Sequence, residues 1–363
     1  MIFAILTNEV FSMTKRILLT AFAVIAILTL TFSLIACNDV EDDSIELSDE
    51  QKHFYSTWLS NIEDSTPIKS IALLGSHDSG TSEMSSVVKA MSMTQSLTIG
   101  EQLLYGTRYF DIRVNKKSDG SLNIFHGVDT SGGNFLPIVN DIVDFIAANP
   151  SEFLVLDFQH FNNGSQSSVI DVIESSELID LAVKNEGELT DMDYIDSLTL
   201  EDVRGKVIIT WGSNEANGDE YSYLFRRNND SCSLPNASLD SMYFGEENSK
   251  PSKTYIEESL PKYMAHIVAK NKALTVLQGQ LTSPNLGNLK NLENGHNKAM
   301  SEYVRSIADN KTYLDSVNII MRDFIGSDIE KTNSVLYLNL KKNNVKSEAK
   351  AEFEKFTKKN NLL

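Results

Sequence analysis

Leu74-Gly75-Ser76-His77-Asp78-Ser79-Gly80-Thr81 starts where a short apolar run, Ser70 to Leu74, ends. The run predicts a buried strand. The His-Asp pair between glycines predicts a sharp turn at its C-terminal end, where backbone can approach a ligand closely. Further outward, apolar runs predict strands at Tyr109 to Val114, Leu122 to Phe125, Phe153 to Phe158, Val207 to Trp211, Ala273 to Leu277 and Val317 to Met321. Helical periodicity lies between them. It is clearest over Ile138 to Ala148, opened by Pro137 and closed by Asn149-Pro150, and it recurs over Val169 to Val183 and Leu292 to Ala308. Strands alternating with helices predict an α/β architecture, either a (β/α) barrel or an open doubly wound sheet. Periodicity does not choose between the two, but both place active sites at the C-terminal ends of strands.

Unusual polar residues gather at those ends. In Gly106-Thr107-Arg108-Tyr109-Phe110-Asp111-Ile112-Arg113, Asp111 and Arg113 are two apart and share one face of a strand, while Phe110 and Ile112 share the other. Ile124-Phe125-His126-Gly127 ends the next strand on a histidine, and Asn318-Ile319-Ile320-Met321-Arg322-Asp323-Phe324 ends the last on an acid. Two imidazoles, with an unperturbed pKa of about 6.5, can accept and deliver protons near neutrality.

In this order the four segments resemble the bacterial phosphatidylinositol-specific phospholipases C, most densely from Ile71 to Phe161 and more thinly to about Phe324. The resemblance implies one distorted (β/α)8 TIM-type barrel. It makes His77 the base that takes the inositol 2-hydroxyl proton and His126 the acid that protonates the departing diacylglycerol oxygen. Asp323 would support His77 and Asp78 would support His126, with Asp111 in the same site. Related eukaryotic phospholipases C hold calcium near this point. Here the residue two after Asp111 is Arg113, a fixed cation able to neutralise a phosphate oxygen, so neither metal nor cofactor is expected. The implied products are diacylglycerol and inositol 1,2-cyclic phosphate.

The match weakens in the head-group region. The strand Lys206 to Trp211 lacks the basic residue expected at its end, and Gln159 or its neighbour His160 stands where the family offers a lysine. Trp211, Gln159 and Tyr243 are the expected substrate-binding residues, with Asp240 and Glu246 as further candidates; His160 reads as structural. Two rival readings remain: a metal-dependent glycerophosphodiesterase, and a non-catalytic surface protein that binds glycans or lipid anchors.

At 363 residues the chain can bury a full core, and no Pro/Gly/Ser-rich linker divides it. A net charge of -18 argues against nucleic acid as a partner. Lysines crowd the C-terminal end from Lys341 to Lys359, where pairs with Glu348 and Glu354 on a solvated helix face are expected. Lys15 and Arg16 precede the apolar run Ile17 to Ala36, and Leu34-Ile35-Ala36-Cys37 resembles a bacterial lipobox. The expected organisation is a signal peptide over 13–36, an acidic tether over 37–50 behind a lipidated Cys37, and the barrel over 51–363. The mature protein is expected to be a monomer that meets the membrane through its lipid, at the outer membrane or cell surface. Cys232 is then a lone thiol in a polar loop.

Overall fold

The computed structural model describes residues 44–212, 220–228, 236–270, 274–283 and 287–358. The signal segment, Cys37 and Cys232 lie outside these residues. Nine strands are present among them: β1 Leu73–Ser76, β2 Thr107–Lys116, β3 Leu122–Ile124, β4 Phe153–Asn162, β5 Lys206–Trp211, β6 Leu224–Asn228, β7 Leu239–Asp240, β8 Leu274–Gln278 and β9 Ile319–Arg322. Eight of them pair in parallel, in the order β1-β9-β8-β7-β6-β5-β4-β2, and β1 pairs with β2 to close the ring. β3 runs antiparallel to β2 outside the ring. The molecule is therefore a (β/α)8 barrel of TIM type, and the open-sheet alternative is excluded.

Alternation along the strands separates two apolar layers. Phe110, Ile112 and Val114 of β2 point outward and pack with Ile138, Val139 and Ile142 of the helix Phe135–Ala148. Tyr109 lies in the other cluster with Val155, Ile208, Val276 and Met321. Each fully buried Leu, Ile or Phe contributes about 1.5–3 kcal/mol relative to an exposed one, so strand parity is strongly enforced. A one-residue slip would carry Asp111 and Arg113 into the outer apolar layer.

Several boundaries differ from the sequence expectation. β1 starts three residues late, because Ile68–Ser70 is a 3₁₀ turn. The helix Phe135–Ala148 is capped by the Asn134 side chain, which accepts from Leu136 N at 3.0 Å, so Pro137 falls inside its first turn. The helix expected over Val169 to Val183 breaks into Gln166–Ser175 and Leu178–Leu181. β6 and β7 were not expected: one is five residues with two arginines, the other only two residues long. The expected tether is too long as drawn. Ile45 N donates to Gly326 O at 2.8 Å, Leu47 is buried, and Ser48 caps the helix Asp49–Ser56, so 44–50 belong to the folded body. Near the C-terminus, Lys355 pairs with Glu50 and Lys346 approaches Asp64, rather than Glu348 or Glu354.

Candidate active site

The C-terminal mouth of the barrel holds a cleft of about 200 Å³, lined on one side by His77, Arg113 and His126. β1 delivers the first of these. Gly75 sits so close to its neighbours that a Cβ would fall 2.9 Å from the Tyr109 ring and 3.3 Å from Met321 Cα, so only glycine lets β1 seat tightly between β2 and β9. The parallel ladder then runs on past the strand: His77 N donates to Arg322 O at 3.1 Å and Ser79 N to Asp111 O at 2.8 Å. Between them Asp78 adopts a left-handed φ of 43°, a conformation costing a non-glycine residue about 1–3 kcal/mol. Its N–H donates to Asp111 Oδ2 at 3.2 Å.

His77 and Asp323 meet across the β1–β9 pairing, His77 Nδ1 lying 2.8 Å from Asp323 Oδ1. Burial alone would lower the His77 pKa, but the Asp78 and Asp323 carboxylates outweigh it and lift it to about 9. Burial pushes the Asp323 carboxyl up, against the pull of His77. For Asp78, burial is overcome by Arg113, His126 and His77, which hold it down at about 2.

Arg113 fastens the acids together. Its Nη2 donates to Asp111 Oδ2 at 2.8 Å and its Nε to Asp111 Oδ1 at 3.2 Å, while Nε also lies 2.5 Å from Asp78 Oδ1. The Nε2 atoms of His77 and His126 each lie 3.3 Å from the same oxygen, Asp78 Oδ2. They are therefore no farther apart than twice that distance. These Asp78 contacts are ion-pair distances without hydrogen-bond alignment. His77, Asp78 and Asp111 offer ligand atoms within 4.8 Å of one another, a spacing a divalent cation could use, but the guanidinium already engages both carboxylates.

His126 is held differently from the expectation. It sits in a tight turn in which its N–H and C=O bond reciprocally with those of Asp129, both at 2.9 Å, and Gly127 supplies the left-handed step with φ 56°. Its Nδ1 donates to the Ser92 carbonyl at 2.8 Å, so that carbonyl orients the ring, and Asp78 faces the other nitrogen. Asp129 secures this arrangement by accepting from Ser86 Oγ at 2.6 Å and Ser92 Oγ at 2.5 Å. A backbone acceptor leaves no residue signature, so sequence could not have supplied it.

The opposite wall and floor are polar. Arg227, Ser241, Tyr243, Gln278, Gln280 and Thr282 line them, and Gln159 and His160 of β4 line the mouth beside Arg113. Gln159 and Tyr243 thus stand in the cleft as expected. Trp211 does not: it lies on the outer face of the barrel against Phe158 and Phe161, while Thr210 points inward to Asp157. Strand parity, not aromatic character, decides its direction. Asp240 is bonded to His266 and Asn228, outside the cleft lining. Arg227, on the unexpected β6, brings a guanidinium into the cleft lining, with Nε 2.8 Å from Asp157 Oδ1. His160 is exposed at the cleft rim, and partial desolvation followed by Arg113 lowers its pKa. A bulge after Ile112 pairs Arg113 with His160 and lets Gln159 and His160 both line the mouth.

Residues 74–212 match the family model described as phosphatidylinositol-specific phospholipase C, X domain. Over this stretch the chain is similar to the phosphatidylinositol-specific phospholipases C. It is 26% identical over 170 residues to a 1-phosphatidylinositol phosphodiesterase of Staphylococcus aureus, covering 46% of this chain and 54% of that one. To the enzyme of the same name from Listeria monocytogenes it is 26% identical over 156 residues, 42% and 47% of the two chains. The chain thus spans about half the length of the curated relatives it matches. The solved phosphatidylinositol-specific phospholipase C of Listeria monocytogenes superimposes with a TM-score of 0.62 at 19% identity, over 78% of this chain and 98% of that one, a likeness of fold. The family match spans β1 to β5, and so includes every strand-end residue of the charged wall except Asp323.

Proposed function

We propose that this chain is a metal-independent phosphodiesterase that cleaves phosphatidylinositol, or a glycosyl-phosphatidylinositol, to diacylglycerol and inositol 1,2-cyclic phosphate. The observation that carries the reading is the convergence of two imidazole Nε2 atoms on one carboxylate oxygen, beside a guanidinium bound to that same carboxylate. In-line attack by the substrate's own 2-hydroxyl needs one proton removed and one delivered on opposite sides of phosphorus, and needs no nucleophilic side chain. The new O–P bond forms as the bond to the glycerol oxygen breaks. His77 takes the hydroxyl proton and His126 gives its proton to the leaving oxygen.

Asp323 makes His77 a stronger proton acceptor and stabilises the imidazolium it becomes. The same raised basicity keeps His77 charged in the resting cleft below about pH 9, so the neutral base gains population as pH rises, while His126 must keep its proton to act as the acid, and a bell-shaped rate profile is expected. Arg113 offers a fixed cation to a non-bridging phosphate oxygen, in the role a metal would otherwise fill. The hydroxyls and amides of the opposite wall suit a polyol head group. Phosphorus NMR of the purified chain with phosphatidylinositol in mixed micelles and excess chelator tests the reading. A cyclic phosphodiester resonance is expected; activity that appears only on adding calcium or magnesium favours the metal-dependent alternative.

We further propose that Cys37 is lipidated and that the barrel is exported as a monomeric lipoprotein, on the strength of the apolar run and the residues before that cysteine. Labelling with a fatty acid that persists in Cys37→Ser would contradict it.

A further inference from the structure

Gln95 takes no part in the cleft lining, yet it is fully buried and joins the two strand ends that carry His77 and Asp323. Its Nε2 donates to His77 O at 3.0 Å and to Arg322 O at 3.1 Å, and its Oε1 accepts from Ile325 N at 3.0 Å. One amide therefore grips the carbonyl of the histidine, the carbonyl just before the aspartate and the N–H two residues after it. Thr94 adds to the grip. Its Oγ1 contacts His77 O at 3.0 Å and Asp78 O at 3.2 Å, and its own carbonyl accepts from Phe324 N at 2.7 Å.

Two residues held in this way are strained. Asp78 and Phe324, each beside one member of the His77–Asp323 pair, both hold a left-handed φ, of 43° and 44°. Such conformations persist only where surrounding bonds over-determine them. From behind, buried Lys331 donates to the carbonyls of Asp323 and Phe324. β1 and β9 end at Ser76 and Arg322, so past them the pair depends on these bonds and one ladder bond, His77 N to Arg322 O.

We infer that Gln95 is a positioning residue that sets the His77–Asp323 geometry by tying the β1 and β9 ends to one another. The inference rests on the proposed roles of His77 and Asp323, and its first readout needs no substrate. The charged groups facing His77 are Asp78, Asp323 and Arg113, and only the Asp323 contact bridges the two strand ends that the amide joins.

Gln95→Met keeps size but removes both donations and the acceptance. In the full chain, the titration midpoint of the His77 imidazole, followed by NMR, is expected to fall by about one pH unit toward the ordinary histidine value of about 6.5. With phosphatidylinositol as substrate, kcat is expected to fall about 30-fold and KM to change less than about twofold, in line with a misplaced catalytic group. In an Asp323→Asn background the same substitution is expected to cost less than about threefold, because the pair it positions is already broken. Thr94→Val, a milder change, is expected to move both readouts in the same direction by less. An unchanged His77 titration in folded Gln95→Met, or an equal loss of kcat in both backgrounds, overturns the inference. Should Gln95→Met not fold, the Thr94→Val titration decides by the same criterion. A chain with no phosphodiesterase activity but a shifted His77 titration keeps the clamp and removes the function assigned to it.

Discussion

On the β1–β2 side of the cleft, His77, Arg113 and His126 stand against Asp78, Asp111 and Asp323, all three of which are buried. On the β7–β8 side, Ser241, Tyr243, Gln278, Gln280 and Thr282 present hydroxyls and amides bonded mainly to each other, as in Gln280 Nε2 to Gln278 Oε1 at 2.7 Å and Tyr243 Oη to Thr282 Oγ1 at 2.7 Å. A buried charged group is tolerated only with partners, and its pKa then depends on those partners. The charged wall can therefore move protons, while the neutral wall can only recognise. The difference predicts that substitutions on the first side act on kcat and pH dependence, and those on the second act on KM.

The largest expected effect is on the charged wall. His77→Ala or His126→Ala is expected to cut cyclic-phosphate formation by at least about 10³-fold while circular dichroism stays unchanged; near wild-type turnover in either variant would remove the assigned roles. Asp323→Asn follows, with turnover down by about 10²-fold. Because Asp323 raises the His77 pKa, its removal lets His77 lose its proton at lower pH, so the acid limb of the rate profile moves to lower pH. An acid limb that stays put, or moves up, would separate His77 from that limb.

Smaller effects are expected across the cleft. Gln278→Leu removes the donation to Ser241 Oγ and the acceptance from Gln280, and is expected to raise KM about fivefold, the worth of about 1 kcal/mol, with kcat little changed. A fall in kcat with KM intact would erase the distinction between the walls. Trp211→Phe lies at the bottom of the scale. Its ring packs outside the barrel, so kinetics are expected to stay within about twofold while denaturant melts lose about 1–3 kcal/mol.

The same contrast explains what the sequence disclosed. Strand-end histidines and the Asp111–Arg113 pair are rare residues on apolar runs, so their parity and order marked the strand ends as the site, and the resemblance they carry implied the barrel. The neutral wall announced nothing. Ser241, Gln278 and Gln280 are ordinary polar residues: Ser241 follows the two-residue β7, Gln278 ends β8 and Gln280 sits past that end. Arg227 was hidden because Leu224–Asn228 carries two arginines and so reads as a loop, although Leu224 and Phe225 alternate between outer layer and lumen as on any barrel strand. Trp211 reads as a platform because it is an aromatic at a strand end, but the parity of β5 turns it into the outer layer. The Ser92 carbonyl and the Gln95 clamp depend on chain segments brought together only by folding, Gln95 meeting Arg322 across 227 positions. No local pattern encodes such a contact.

A complex of the chain with inositol 1,2-cyclic phosphate would show whether the two imidazoles and the guanidinium share one phosphodiester. Oxygens on the phosphorus atom are expected within about 3 Å of His77 Nε2, His126 Nε2 and the Arg113 guanidinium together, with the ring hydroxyls toward Gln278 and Tyr243. A phosphate that touches only one of the three cationic groups, or binds outside this cleft, would contradict that expectation.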